Sequence, residues 1–197
     1  QVDKGKIKEA QTGFKLIKNS LEKLEKLVED ILNLTRAKHT IEEKQDVRIE
    51  ELVNTTIEKM QNLDGFEKIK IIKDFPDDYT IHTSKIQLSM IIDNLLSNAI
   101  KYSDFDKEEP YISIFCSKED GGFRVDIEDN GIGIPQEYQS KMFGMFNRFH
   151  PKVAFGSGLG MYLMKKSAKA IDADIVYQDT GQGSRFSLIS NGNSGAE

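Results

Sequence analysis

Apolar residues recur along the first third of the chain at alternating spacings of three and four: Ile7, Ala10, Phe14, Ile17, Leu21, Leu24, Val28, Ile31 and Thr35. This is an a/d seam sustained over about four heptads, the mark of a long helix with one narrow apolar stripe. Charged residues such as Lys15, Lys18, Glu22, Glu25 and Glu29 take the other faces. A helix cannot bury such a stripe by itself. Its cover is therefore its own domain, the other arm of a helical hairpin, or a second subunit. Residues 35–45 then read as a polar connection, and 49–60 as a second, shorter amphipathic helix.

From about residue 61 the period shortens. Residues 69–72 and 79–81 read as short strands on either side of the turn Asp74-Phe75-Pro76-Asp77-Asp78. Ser84-Lys85-Ile86-Gln87 is a capping box that opens a helix running to about Tyr102. Residues 111–116 alternate as a strand, Gly121-Gly122 turns the chain, and 123–128 form the next strand. A helix is expected over 158–171, and a closing hairpin from 174–178 and 184–189. Antiparallel strands with interspersed helices predict an α+β fold, a two-layer α/β sandwich with a mixed, largely antiparallel sheet covered by helices. The long helix precedes it. The expected division is 1–45 for the seam helix and linker, 46–190 for the sandwich, and 191–197 for a disordered tail.

The helix opening at Ser84 carries two kinds of face. With Asn94 at zero and about 100° per residue, Asn98 falls near ~40°, Lys101 near ~−20° and Tyr102 near ~80°. Leu88, Ile92, Leu95 and Ala99 gather on the adjoining, core-directed side. Two carboxamide oxygens one turn apart suit a magnesium ion that keeps phosphate and water ligands. The lysine suits phosphate charge, and the tyrosine ring suits a base. A polar helix flank without any ligand would look the same.

Three glycine clusters follow: Asp129-Asn130-Gly131-Ile132-Gly133 after a strand, Gly156-Ser157-Gly158-Leu159-Gly160 at a helix start, and Gly181-Gln182-Gly183-Ser184 near the end. Glycines allow positive φ and close backbone approach, and helix N-termini favour phosphate. Asp129 at a strand end is placed to accept from an exocyclic amine. The second cluster lacks the spacing and the preceding strand of a P-loop.

Composition narrows the partners. The chain has 197 residues with 27 Lys+Arg against 32 Asp+Glu, for a net charge of −5. Its first 60 residues balance 12 basic against 12 acidic side chains, so the excess lies in the remainder. An acidic balance argues against nucleic-acid binding. No apolar run reaches the ~18 residues a membrane span needs. One cysteine and three histidines leave no disulfide framework and no Cys/His zinc site. A cytoplasmic setting is expected.

Asn94-Leu95-Leu96-Ser97-Asn98-Ala99-Ile100-Lys101-Tyr102-Ser103 resembles the N-box of sensor histidine kinases. Asp129 to Gly133 resembles their G1 box, Phe143-Gly144-Met145-Phe146-Asn147-Arg148 the F-box, Gly156 to Gly160 the G2 box, and Gly181 to Ser184 with Phe186 the closing glycine motif. All five stand in the family's order between residues 84 and 189. The resemblance implies the Bergerat ATP-binding fold shared by gyrase, Hsp90, histidine kinases and MutL, with ATP and Mg²⁺ as cofactors. It implies Asn98, supported by Asn94, as magnesium ligands, Lys101 on phosphate, Tyr102 near adenine and Asp129 on the adenine amino group. Gly131 and Gly133 would let the base approach, and Arg148 would steady the γ-phosphate, so that Asn98, Lys101 and Arg148 carry the catalysis. The implied nucleotide set also takes in Ile134, Phe146, Gly156, Ser157, Gly158, Leu159, Gly160 and Ser184. Of Phe143, Phe146 and Phe149, at least two are expected in the core.

Residues 20–36 resemble, more loosely, the second helix of the family's dimerisation and phosphotransfer hairpin. This implies a homodimer through the seam helix and a response-regulator receiver domain as partner. The family's acceptor histidine has an acidic or amide neighbour and a nearby proline. His39, His82 and His150 do not fit that pattern. The chain is therefore expected to be the C-terminal portion of a larger kinase, unable to phosphorylate itself. Gyrase and Hsp90 carry a glutamate where Asn94 stands, and Asp93 points about 100° away from the nucleotide face. An ATPase, a serine kinase of the same fold and a nucleotide-binding regulatory module remain the alternatives.

Overall fold

The computed structural model describes residues 43–119, 121–150 and 157–190, with residues 7, 9–14, 16–18, 20, 21, 24, 25, 28, 31 and 32 of the N-terminal segment. Those N-terminal residues are helical, and their seam positions Ile7, Phe14, Ile17, Leu21, Leu24, Val28 and Ile31 are exposed. Thr35, His39, Gly156 and the expected tail at 191–197 lie outside the described residues.

The sandwich begins with a strand that the periodicity does not reveal. β1 (Gln45–Arg48) holds one buried residue, Val47, too few for a visible alternation. It pairs antiparallel with β3 (Thr80–Thr83), Val47 opposite Ile81, as a two-stranded ribbon. Between them, α1 (Ile49–Met60) buries Ile49, Leu52, Val53, Thr56 and Met60 at helical spacing. β2 (Lys70–Asp74) leaves the turn at 74–78 for the other sheet, where it lies parallel to β4 (Tyr111–Glu119). The two strands flanking that turn therefore belong to different sheets.

The main sheet has the order β2-β4-β5-β7-β6, with β5 (Gly122–Asp129), β6 (Asp174–Asp179) and β7 (Ser184–Ser190) antiparallel to their neighbours. Alternation along β4 and β5 sends Ile112, Ile114, Cys116, Phe123, Val125 and Ile127 inward. The opposite face carries ion pairs, Arg124 with Asp126 and Arg185 with Glu128.

Helices cover the inner face. α2 (Lys85–Lys101) packs against α1 and against α4 (Gly160–Ala170), with a single turn, α3 (Gln136–Gln139), after Pro135. Flanked in this way, α2 buries Ile91, Leu96 and Ile100 as well as Leu88, Ile92, Leu95 and Ala99. Each of the leucines and isoleucines contributes about 1.5–3 kcal/mol of burial. The capping box forms by half: Ser84 Oγ accepts from the Gln87 N–H (3.2 Å), while Gln87 Oε1 is buried without a hydrogen-bond partner.

Candidate functional site

The polar flank of α2 is set by its core flank. With Leu95 and Ala99 buried, Asn94, Asn98, Lys101 and Tyr102 lie half-buried along the neighbouring strip. Asn94 donates its amide to the Met90 carbonyl (2.7 Å), which leaves Oδ1 turned towards the start of α4. A Cβ at Gly160 would come within 2.7 Å of that oxygen, so glycine begins α4 where Asn94 occupies the space. Asn98 makes no side-chain hydrogen bond among the described residues. Asp93 faces elsewhere, accepting a hydrogen bond from Thr56 of α1 (2.8 Å).

Asp129 ends β5 on its buried face, at 7% exposure. Burial pushes its carboxyl up to about 6, against the backbone N–H groups of Gly131 and Ser184 and the charge of Lys107, which pull it down. The Gly131 N–H donates to Oδ1 at 2.8 Å. At neutral pH this is a buried, ionised acceptor, the chemistry needed to bind an exocyclic amine. Across the sheet the Tyr177 hydroxyl is buried, and burial raises its pKa against the smaller, lowering effect of Ser184 and Ile134.

Two of the glycines answer to the fold itself. A Cβ at Gly131 would collide with the Tyr102 carbonyl, which accepts from the Ile132 N–H (3.0 Å) and joins the end of β5 to the end of α2. A Cβ at Gly183 would strike the Asp129 carbonyl. Gly133 has φ +67, and a Cβ there would meet the Gly183 carbonyl oxygen at an ordinary 3.7 Å. Gly158, φ +74, lies on the Phe146 backbone.

Between α3 and α4, Phe143 and Phe149 pack against the core, as expected for two of the three phenylalanines. Phe146, at φ +62, is 64% exposed. Arg148 is exposed, and its charge lowers the pKa of the Tyr102 hydroxyl against the larger rise from burial. The Tyr102 and His150 rings lie 5.9 Å apart, and His150 Nε2 is 2.9 Å from the Gly133 carbonyl oxygen. Ser157 Oγ accepts from the Leu159 N–H (3.1 Å), and the Leu159 side chain is buried, as are Ile134 and Ser184. Contacts thus join Asn94 to Gly160, Tyr102 to Gly131, and Asp129 to Gly131 and Gly183, where the ends of α2 and β5 and the start of β7 come near the start of α4. Gly156 alone falls outside the described residues.

The structure adds residues that sequence reasoning missed. Lys107, in the loop after α2, donates to the carbonyls of Asn130 (2.5 Å), Gln182 (2.6 Å) and Gly131 (3.3 Å). Asn130 accepts from the Tyr111 N–H (2.8 Å) and donates to the Glu109 carbonyl (2.9 Å). Lys107 sits in the run Asp104-Phe105-Asp106-Lys107-Glu108-Glu109, which reads as a solvated acidic loop, and nothing in its spacing signals the contacts. His150 enters the sequence reading only as a histidine that does not fit the acceptor pattern.

Comparison with known proteins places this geometry. The family model described as histidine kinase-, DNA gyrase B- and HSP90-like ATPase matches residues 83–191. The chain is 26% identical over 163 residues to the sensor histidine kinase WalK of Bacillus subtilis, covering 80% of this chain and 26% of WalK. It thus spans about a quarter of that relative. The Acinetobacter baumannii histidine kinase AdeS has a similar fold, with a TM-score of 0.75 at 21% identity over 92% of this chain and 84% of that one. So does full-length ShkA, crystallised with AMPPNP, with a TM-score of 0.72 at 22% identity over 96% of this chain and 40% of that one.

Proposed function

Because the chain belongs to the family of histidine kinase-, DNA gyrase B- and HSP90-like ATPases, we propose that it is the ATP-binding catalytic portion of a two-component sensor histidine kinase. It passes the γ-phosphate of ATP to a histidine on a hairpin helix outside this chain, for relay to an aspartate of a response-regulator receiver domain. The seam helix joins a second copy in a helical bundle, and the work is done in the cytoplasm. The observation that carries this reading is the buried, ionisable Asp129 set beside a helix flank that presents Asn94, Asn98, Lys101 and Tyr102.

Asp129 accepts from the adenine amino group, and Tyr102 lies along the base. Lys101 and Arg148 offset phosphate charge, which grows on the transferring group and is met by positioned cations rather than covalent chemistry. Magnesium fits the donor set: Asn94 has its nitrogen committed to Met90, so oxygen faces the site, and the Asn98 carboxamide is uncommitted among the described residues. Neutral oxygens and phosphates would hold the ion, which would bring Lewis-acid charge to the phosphate oxygens. Among the described residues no cluster of three His, Cys, Asp or Glu competes for it. Hydrolysis is disfavoured, since Asp93 is engaged by Thr56 on the far side of α2.

The test mixes this chain with a hairpin bearing the acceptor histidine and γ-labelled MgATP. Acid-labile label on the hairpin, lost with Asn98→Ala, is the expected result. Binding without transfer would leave the regulatory alternative, and failure to bind MgATP would refute both.

A further inference from the structure

We propose that Lys107 is the positioning residue for base recognition, its ammonium pinning together the two loops that grip the Asp129 carboxylate. The proposal rests on the reading of Asp129 as the adenine acceptor and adds a residue to it.

An ammonium has three N–H donors. Lys107 spends them on the carbonyls of Asn130 (2.5 Å) and Gly131 (3.3 Å) after β5 and of Gln182 (2.6 Å) before β7. Four carboxylates share its loop, Asp104, Asp106, Glu108 and Glu109, and Lys107 pairs with none of them. A merely solvated lysine would choose those charges over three main-chain oxygens.

The choice of carbonyls gives the contact its meaning. The Asn130 carbonyl and the Gly131 N–H belong to one peptide unit. The ammonium holds its oxygen, and its N–H donates to Asp129 Oδ1 at 2.8 Å. A cation on one end polarises the peptide and strengthens the bond at the other. Gln182 lies two residues before Ser184, whose N–H is the second backbone donor to the carboxylate. Both donors to Asp129 thus hang from segments anchored by one side chain. Asn130 reinforces the anchor by tying the same loop to Tyr111 and Glu109.

The other groups facing Asp129 are Glu128 on its own strand, Tyr111 on β4, Tyr177 and Asp179 on β6, Arg185 on β7 and Tyr102 at the end of α2. Arg185 is paired with Glu128. Tyr111, Tyr177 and Tyr102 all sit above the ordinary tyrosine value and remain neutral near pH 6. Lys107 is the cation that lowers the Asp129 pKa, so its removal raises the pH at which the acceptor is lost.

MgATP affinity of the full 197-residue chain, measured by calorimetry from pH 5 to 8, tests this. In the wild type, affinity falls as the pH drops through about 6, where Asp129 takes up its proton. Lys107→Met moves that midpoint up by about one pH unit, a loss of about fivefold at the wild-type midpoint that approaches tenfold below it. Lys107→Gln keeps hydrogen-bond donors without the charge, and it too raises the midpoint even if the methionine variant folds poorly. Lys107→Arg restores it. An unchanged midpoint in Lys107→Gln overturns the proposal, including the case where affinity drops uniformly at every pH. If Asp129→Asn binds as tightly as the wild type and the wild type shows no inflection, base reading by Asp129 fails, and the proposal falls with it.

Discussion

Gly160→Ala separates what the site costs the fold from what it gives to binding. Alanine suits the first turn of α4, and replacing glycine in a helix stabilises by about 0.5–1 kcal/mol. The new Cβ, however, would stand 2.7 Å from Asn94 Oδ1. That oxygen ends a side chain held by one hydrogen bond to Met90, so the carboxamide can turn away at the loss of about 1 kcal/mol. The two effects offset, and urea unfolding without nucleotide should show a change within about 1 kcal/mol. Binding has no such compensation. A displaced supporting ligand lowers metal-dependent affinity by roughly 10–100-fold. Calorimetry should show that loss with MgATP and little change with ATP in chelator. Wild-type MgATP affinity in a stably folded variant would refute the account of Gly160. An equal loss without magnesium would refute the role given to Asn94.

Gly131→Ala has no flexible neighbour to yield, because its Cβ meets the Tyr102 carbonyl; denaturant unfolding should show about 2–3 kcal/mol of destabilisation, and under ~0.5 would contradict the packing. The Asp129 carboxyl sits near 6 when folded, above its ordinary value, so the folded state holds the proton more tightly. Its contribution to stability is therefore fully present below the unfolded pKa near ~4 and is lost as pH rises through about 6, a decline of up to roughly 3 kcal/mol. Asp129→Asn should flatten that slope while weakening nucleotide binding, and identical stability profiles for the two proteins would rule the assignment out. Asp93→Asn should leave MgATP affinity unchanged, with a cost near 1 kcal/mol from the altered bond to Thr56; a large loss of affinity would show that Asp93 serves the site after all.

What the sequence discloses is local, and what it hides is relational. The two faces of α2 follow from its period, and the structure puts Leu95 in the core and Asn98 beside it. Asp129 is legible as a polar residue at an inward position closing a strand. β1 is not, because four residues with one apolar side chain leave no period to detect. Nor is the parallel pairing of β2 with β4, since the choice of neighbour is made across the sheet rather than along the strand. Gly131 is visible as a glycine, but the reason for it, the Tyr102 carbonyl, lies nearly thirty residues earlier. Lys107 is the extreme case: its neighbours in sequence are acids, and its partners in space are carbonyls.

The scatter of the site along the chain has a thermodynamic consequence. Asn94 on α2, Asp129 at the end of β5, Gly160 on α4 and Ser184 on β7 meet only after the β2–β4 crossover and both antiparallel hairpins have formed. No local fragment of the sandwich holds enough of these groups to bind. Bound nucleotide therefore acts on the native state alone, and at a hundredfold excess over its Kd adds about 2.7 kcal/mol to the stability of the whole domain. Such a domain melts later when the cell is rich in ATP, and its thermal midpoint is a gauge of nucleotide supply.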